Sequence, residues 1–349
     1  MSYYNSFSPG KIANIILWDN NLVGRKFMRI AFDIMGGDNA PAAIIEGVLA
    51  LAGSSPQDEL IMVGLPEAVA QESALPANVR FVSCGSVMAM DEDVRNLLKK
   101  KDSSIWVATD LVKKGEADAI ISAGSTGAQM TAATLLLSRL KGCERPAIAT
   151  VLPTQEGGKL LLDAGANADC SAQMLVSFAK MGAVYAEQLL DLPNPRVALL
   201  SNGTEEHKGN KLTIEAHALL KEAGLNFIGN KEGRDILKGG YDVMVCDGMS
   251  GNIAIKSMEG AILVLMGMLK KELTSSLKTK LGAMLVKNGL SRMKKTFSQD
   301  NNSGAPLLGV KGISIVCHGN SDAKGIVSAS QLAKKCFEHD FVNKLATAL

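Results

Sequence analysis

Short apolar runs, each followed by a polar elbow containing glycine, recur along this chain. Residues 30–32 lead into Asp33-Ile-Met-Gly-Gly-Asp38, and 119–121 into Ser122-Ala-Gly-Ser-Thr-Gly127. Residues 160–162 lead into Asp163-Ala-Gly-Ala-Asn167, and 197–200 into a longer elbow at 201–210. Residues 243–246 precede Asp247-Gly-Met-Ser-Gly-Asn252, and 313–317 precede His318-Gly-Asn-Ser-Asp322. Apolar runs of this length read as parallel strands buried on both faces. Open α/β sheets bind ligands beyond the C-terminal ends of their strands. The six elbows are therefore expected to form one shared site rich in backbone N–H groups, suited to an anion and to phosphate above all.

Helical periodicity fills the gaps. Asn39-Ala-Pro41 reads as an N-cap with proline in the first turn, opening a helix to about Leu51. Strands are expected at 60–63 and 79–82, a charged helix over 91–115, and a helix from the 122–127 elbow to Leu140. Residues 147–151 and 159–162 are spaced like a hairpin, and 172–190 is a helix. Pro193-Asn-Pro195 is a candidate hinge. Beyond it the alternation resumes with strand 197–200, helix 211–223, strands 226–229 and 243–247, and helix 252–273. A second helical stretch reaches about 295, residues 299–306 form a polar loop, and strand 312–318 precedes a C-terminal helix. The implied fold is α/β: a three-layer αβα sandwich with a mostly parallel sheet.

Composition agrees. The chain has 349 residues, 47% hydrophobic, with 34 glycines and only 4% aromatics, a balance that suits helix-and-sheet layers. A formal net charge of +2 gives no general argument for nucleic acid. Six scattered cysteines without C-x-x-C and four isolated histidines point away from disulfides and metal and toward a reducing cytosol. No uninterrupted apolar stretch of about 18 residues appears, so no transmembrane helix is expected. Residues 1–27 stand outside the pattern and read as an N-terminal extension, leaving 28–349 as the folded domain.

Several chemistries are excluded. No G-x-G-x-x-G follows a strand, and Gly304-Ala-Pro-Leu-Leu-Gly309 lacks the Lys-Ser/Thr of a phosphate-binding loop. There is no G-x-S-x-G, so a covalent side-chain nucleophile is not expected, and neither is a cofactor. Lys208 could neutralise an anionic nucleophile or oxyanion, or simply occupy a solvated loop, and Asn210 could cap the next helix. Asn252 could donate into the site or cap its helix. Candidate phosphate- or substrate-binding residues are Asp33, Gly36, Gly37, Asp38, Gly124, Ser125, Thr126, Gly127, Asn167, Gly203, Thr204, Asn210, Asp247, Ser250 and Gly251.

A second region is basic and amphipathic. Leu273, Leu277, Leu281, Met284 and Leu285 recur at helical spacing among Lys278, Lys280 and Lys287. This is the pattern of a membrane-surface helix, or of a helix packed on the body or on a second subunit. Residues 257–295 form the expected protruding hairpin.

Taken together, residues 30–38, 122–128, 161–167, Gly203-Thr-Glu205, Lys208-Gly-Asn210, Phe227-Ile-Gly-Asn230 and 247–252 resemble the bacterial phosphate acyltransferase (PlsX) family of phospholipid synthesis, in order from Met28 to about Ala329. The resemblance implies a phosphotransacetylase-like fold. It also implies transfer of a long-chain acyl group from acyl carrier protein to inorganic phosphate, giving acyl phosphate for a membrane glycerol-3-phosphate acyltransferase. A cytoplasmic homodimer peripherally associated with an anionic membrane follows, with Lys208 and Asn252 as catalytic residues. Asn39, Ser125 and Asn202 depart from the family's usual His, Asn and apolar residue. Two other readings stay open: an enzyme drawing on acyl-CoA, and a non-catalytic scaffold at the membrane.

Overall fold

A computed structural model of the chain describes residues 27–70, 74–299 and 304–349. The extension up to residue 26 and residues 300–303 of the expected polar loop lie outside the described residues. The strands are β1 Arg29–Asp33, β2 Glu59–Gly64, β3 Val79–Ser83, β4 Ala119–Ser122, β5 Ala147–Thr154, β6 Gly157–Leu162, β7 Val197–Ser201, β8 Phe227–Glu232, β9 Val243–Val245, β10 Ala305–Leu308 and β11 Ile313–Val316. The helices are α1 Ala42–Ser54, α2 Ser104–Lys113, α3 Thr126–Leu136, α4 Ala172–Leu189, α5 Lys211–Glu222, α6 Gly248–Leu273, α7 Leu277–Gln299, α8 Ala323–Glu338 and α9 Phe341–Ala348.

All the described strands join one sheet in the order β3-β2-β1-β4-β11-β10-β5-β6-β9-β7-β8. β3, β2, β1, β4 and β11 are mutually parallel, as are β6, β9, β7 and β8. Three successive antiparallel pairings, β11 with β10, β10 with β5 and β5 with β6, separate the two sets. An odd number of reversals makes the two halves run in opposite directions. The expectation that all six elbows leave one edge is therefore corrected: those after β1, β4 and β11 leave one edge, and those after β6, β9 and β7 leave the other.

The alternation of side chains along the strands builds the three layers. On one face Phe32, Met62, Ile121, Ile315, Leu162 and Val245 belong to a single buried cluster spanning both halves beneath α1, α4 and α8. Each such fully buried side chain contributes about 1.5–3 kcal/mol. On the other face the core is split. Ala31, Ile61, Ile120 and Ile148 pack with α2 and α3, while Leu152, Leu161, Ala198 and Met244 pack against Ala254, Ile255 and Met258 of α6. Half-buried Thr150 on β5 lies between them.

Four expectations about elements change. Residues 91–115 are not one helix: a short 3-10 turn, Val94–Leu98, precedes α2, with Ser103 as the new N-cap. The helix from 126 ends at Leu136 rather than Leu140, with Ser138 in the left-handed region at φ 66°. Asn39 does not cap α1; its amide donates to the carbonyls of Asn320 and Ser321, tying the first elbow to the last. β10 occupies the end of the expected loop, where Pro306 fits because the chain there is a short connector between antiparallel neighbours.

α6 is long and apolar enough to cross a membrane by length and composition, a property that Lys256 and Glu259 hide from a search for an uninterrupted run. Its first turns are docked on the sheet through Met258. The remainder, fifteen residues at about 1.5 Å each, measures about 22 Å, short of the roughly 30 Å hydrocarbon core. While so docked, the helix does not span a bilayer.

Candidate active site

At the first edge, Asp33 ends β1 fully buried. Ser122 Oγ at the end of β4 donates to its carboxylate at 2.7 Å, and Met35 N–H does so at 3.2 Å. Burial pushes the Asp33 carboxyl up, against the lowering effect of the hydroxyls of Ser104 and Ser122. Gly36 and Gly37 turn the chain so that Asp38 N–H donates to the Gly319 carbonyl at 2.7 Å. Gly124 N–H is held by Ser122 Oγ. Ser125 caps α3, its hydroxyl accepting Ala128 N–H. The N–H groups of Thr126 and Gly127 are left without an acceptor among the described residues. An anion can use those two.

At the second edge the first turn is already filled. Asp163, fully buried after β6, accepts hydrogen bonds from the N–H groups of Ile148, Gly165, Ala166 and Asn167 and from the Asn167 amide, at 2.7–3.1 Å. The expected open cradle at 163–167 is thus closed on its own aspartate. Asn167 serves as an anchor: its amide also donates to the Pro146 carbonyl, and its Oδ1 is buried without a partner among the described residues.

α6 starts against this turn. Gly248 N–H donates to the Asn167 carbonyl at 2.7 Å. A Cβ on Gly248 would fall 2.6 Å from that carbonyl oxygen, and one on Gly251 would collide with the Asp163 carbonyl. Only glycine permits this approach. Asp247 is the N-cap, accepting from Ser250 N–H and Oγ at 2.8 and 2.7 Å. Asp247 and Ser250 therefore satisfy each other. The helix begins at Gly248, four residues before the expected start, so the capping reading of Asn252 falls away. Asn252 sits in the second turn beside Gly165, exposed, its amide without a partner among the described residues.

The 201–210 loop leaves β7, the neighbour of β9, at the same edge. Gly203 lies under the Lys208 stem. Asn210 caps α5, accepting Thr213 N–H at 2.9 Å, as expected of a capping asparagine. Thr204 is exposed. Lys208 is exposed and makes no ion pair among the described residues. The edge thus presents the Lys208 ammonium on the loop after β7 and the Asn252 amide on the second turn of α6, neither with a partner among the described residues.

The two edges are linked along α6. Its first turn touches Asn167, and eight residues on, Lys256 Nζ lies 3.3 Å from His318 Nε2 of the first edge. That distance along a helix is about 12 Å. The six elbows are therefore two groups spaced along the N-terminal turns of α6 rather than one. Lys256 and its meeting with His318 of the last elbow escaped the sequence reading, because strand direction is not written in an apolar run. Asp163 carried a signal, an aspartate opening a Gly-containing turn.

No thiol offers a nucleophile. Burial pushes all six up, Cys84 and Cys143 to about 11, Cys170, Cys317 and Cys336 to about 12, and Cys246 well above its ordinary value. All six are free.

A family model described as "Fatty acid synthesis protein" matches residues 28–344. The phosphate acyltransferase of Desulfitobacterium hafniense (strain Y51) is 50% identical over 328 residues, covering 92% of this chain and 97% of that one. The phosphate acyltransferase of Heliobacterium modesticaldum is 49% identical over 321 residues, covering 90% and 96%. Among solved structures, a phosphotransacetylase from Streptococcus pyogenes superposes with a TM-score of 0.60 at 17% identity, covering 94% and 96%. A branched-chain phosphotransacylase from Enterococcus faecalis V583 gives 0.57 at 14%, covering 89% and 99%. Those two likenesses establish a phosphotransacetylase-like fold. By its sequence over nearly its whole length, the chain belongs to the phosphate acyltransferase family of acyltransferases.

Proposed function

We propose that this protein transfers a long-chain acyl group from the thioester of acyl carrier protein to inorganic phosphate, yielding acyl phosphate for phosphatidic acid and phospholipid synthesis. The observation that carries this reading is the half identity, over nearly the full length, with proteins named phosphate acyltransferase. The site fits the chemistry. A phosphate oxygen attacks the thioester carbonyl carbon, a tetrahedral oxyanion forms, and its collapse expels the carrier thiolate. Phosphate is already an anionic nucleophile, so it needs positioning and charge neutralisation more than a base. Lys208 supplies the charge and Asn252 a hydrogen bond to phosphate or oxyanion. The free N–H groups of Thr126 and Gly127 serve an anion at the first edge, after β4.

A donor screen with labelled phosphate tests the proposal. Acyl phosphate is expected with acyl carrier protein as donor and at a much lower rate with acyl-CoA. Equal use of acyl-CoA would remove the carrier-protein assignment. Vesicle binding without release of thiol from either donor would replace the enzyme with a scaffold.

The outer part of α6 together with α7 is the proposed attachment to an anionic membrane, with the protein otherwise cytoplasmic and homodimeric. Leu277 and Leu285 are 81% and 88% exposed, and Leu273, Leu281 and Met284 continue the apolar series. Lys278, Lys280 and Lys287 are exposed alongside. Each lysine near such a surface is worth about 1 kcal/mol, enough in combination for reversible attachment beside a membrane glycerol-3-phosphate acyltransferase. In liposome flotation, binding is expected to need anionic lipid and to fall when Leu281 and Leu285 become serine. Equal flotation with neutral and anionic vesicles removes the electrostatic part, and unchanged flotation of the serine variant removes the apolar part.

A further inference from the structure

Lys208 stands on an exposed loop, yet charge stabilisation needs a fixed cation. The backbone at that loop is held from behind. Lys208 N–H donates to the Glu205 carbonyl at 3.0 Å, closing a turn. The same carbonyl accepts the Asn230 amide, Nδ2, at 2.9 Å. Asn230 lies on β8 and is 4% exposed. Its Oδ1 lies 2.8 Å from Nδ1 of His217, which is 5% exposed on α5.

The polarity of this chain of bonds is forced. A carbonyl only accepts, so the Asn230 NH2 must face Glu205 and its oxygen must face His217. His217 then donates from Nδ1–H. Phe227 packs edge-on against the imidazole with centroids 5.1 Å apart, fixing the ring plane. Lys221 of α5 adds a second tie, meeting Glu206 at 2.9 Å.

We propose that Asn230 and His217 are positioning residues for catalysis, acting through the Glu205 carbonyl to set the place of Lys208. This rests on the reading of Lys208 as a catalytic group. His217 orients the Asn230 amide, and Asn230 fixes the turn. Neither touches substrate. A two-residue relay buried behind an exposed lysine gives the loop the rigidity that its own solvent-facing residues cannot.

The test measures acyl phosphate formation by the full-length protein with palmitoyl-acyl carrier protein and inorganic phosphate. Asn230→Ala is expected to lower kcat on the order of 100-fold, the loss that about 1 Å of misplacement brings. The KM for the acyl donor should stay within about twofold, since Asn230 and His217 are buried and are proposed to act on the place of Lys208 rather than on donor binding. His217→Leu, which removes the donor, should behave similarly. His217→Asn places an amide N–H where Nδ1–H stood and should recover most of the rate. A merely structural role would not be restored by that one donor.

The proposal is overturned if folded Asn230→Ala turns over normally, or if His217→Asn is no better than His217→Leu. If Asn230→Ala does not fold, the two His217 variants decide alone. Lys208→Ala, assayed beside them, separates the two readings. Normal turnover there removes the catalytic assignment of Lys208, whereas an inactive Lys208→Ala beside a fully active Asn230→Ala removes only the relay.

Discussion

Lys208→Ala is expected to lower the rate of acyl phosphate formation by about 100- to 1,000-fold, the loss of one charge-stabilising donor at a developing oxyanion. The fold has little stake in this side chain. Lys208 is exposed, with no ion pair among the described residues, and only its stem rests on Gly203. The unfolding midpoint in urea should therefore stay where it is while kcat falls. Asn252→Ala is expected to act on the same scale, because its amide is likewise exposed and spends no hydrogen bond on the described chain. The double variant should lose less than the product of the two, since both groups would serve one charge. A folded Lys208→Ala protein with near-normal turnover would sink the mechanism.

The second large effect is on stability. Asp163→Asn is expected to cost on the order of 4 kcal/mol. In the native protein one carboxylate oxygen accepts the N–H groups of Ile148, Gly165 and Ala166, and the other accepts both N–H and amide of Asn167. An asparagine can present its oxygen to only one of these sets. Its NH2 then faces donors in a buried place, leaving two or three of them unsatisfied at about 1–3 kcal/mol each. The loss does not stop at the turn. Gly251 lies against the Asp163 carbonyl, so any shift there moves the second turn of α6 and Asn252 with it. Asp33→Asn is the matched control: burial already pushes that carboxyl toward its neutral form, and fewer donors depend on it. Urea unfolding of the two variants checks the contrast. Equal stability of Asp163→Asn and the parent would refute the anchoring role.

Much of the layer architecture was legible because apolar period and glycine position are local signals. β4 and α5 appear with nearly their expected bounds, and Asn210 caps as its spacing suggested. Strand direction is not local. Residues 243–245 look the same whichever way they run, so the opposition of the halves, set by β10 and β5, could not be read from them. Nor could the fate of individual N–H groups. Asp163-Ala-Gly-Ala-Asn167 has the composition of an anion cradle, and it is one, but the anion is its own first residue. β10 was hidden because Gly304-Ala-Pro306 has turn chemistry, and its pairing partners lie far away in sequence, at 147–148 and 315–316. Lys208 and Asn252 were visible as polar residues after apolar runs, but whether either was spent on a cap or an ion pair could be read only from the structure.

The order of strands has a consequence for synthesis. β11, near the end of the chain, pairs with β4, while everything from β5 to β9 is built in between. On the ribosome the edge of β4 waits for Val316 for roughly 10–40 s at ordinary elongation rates of about 5–20 residues per second. An unpaired apolar edge held that long is open to wrong partners. The half running from β6 to β9 is contiguous and can close while translation continues. The half begun first is the half completed last.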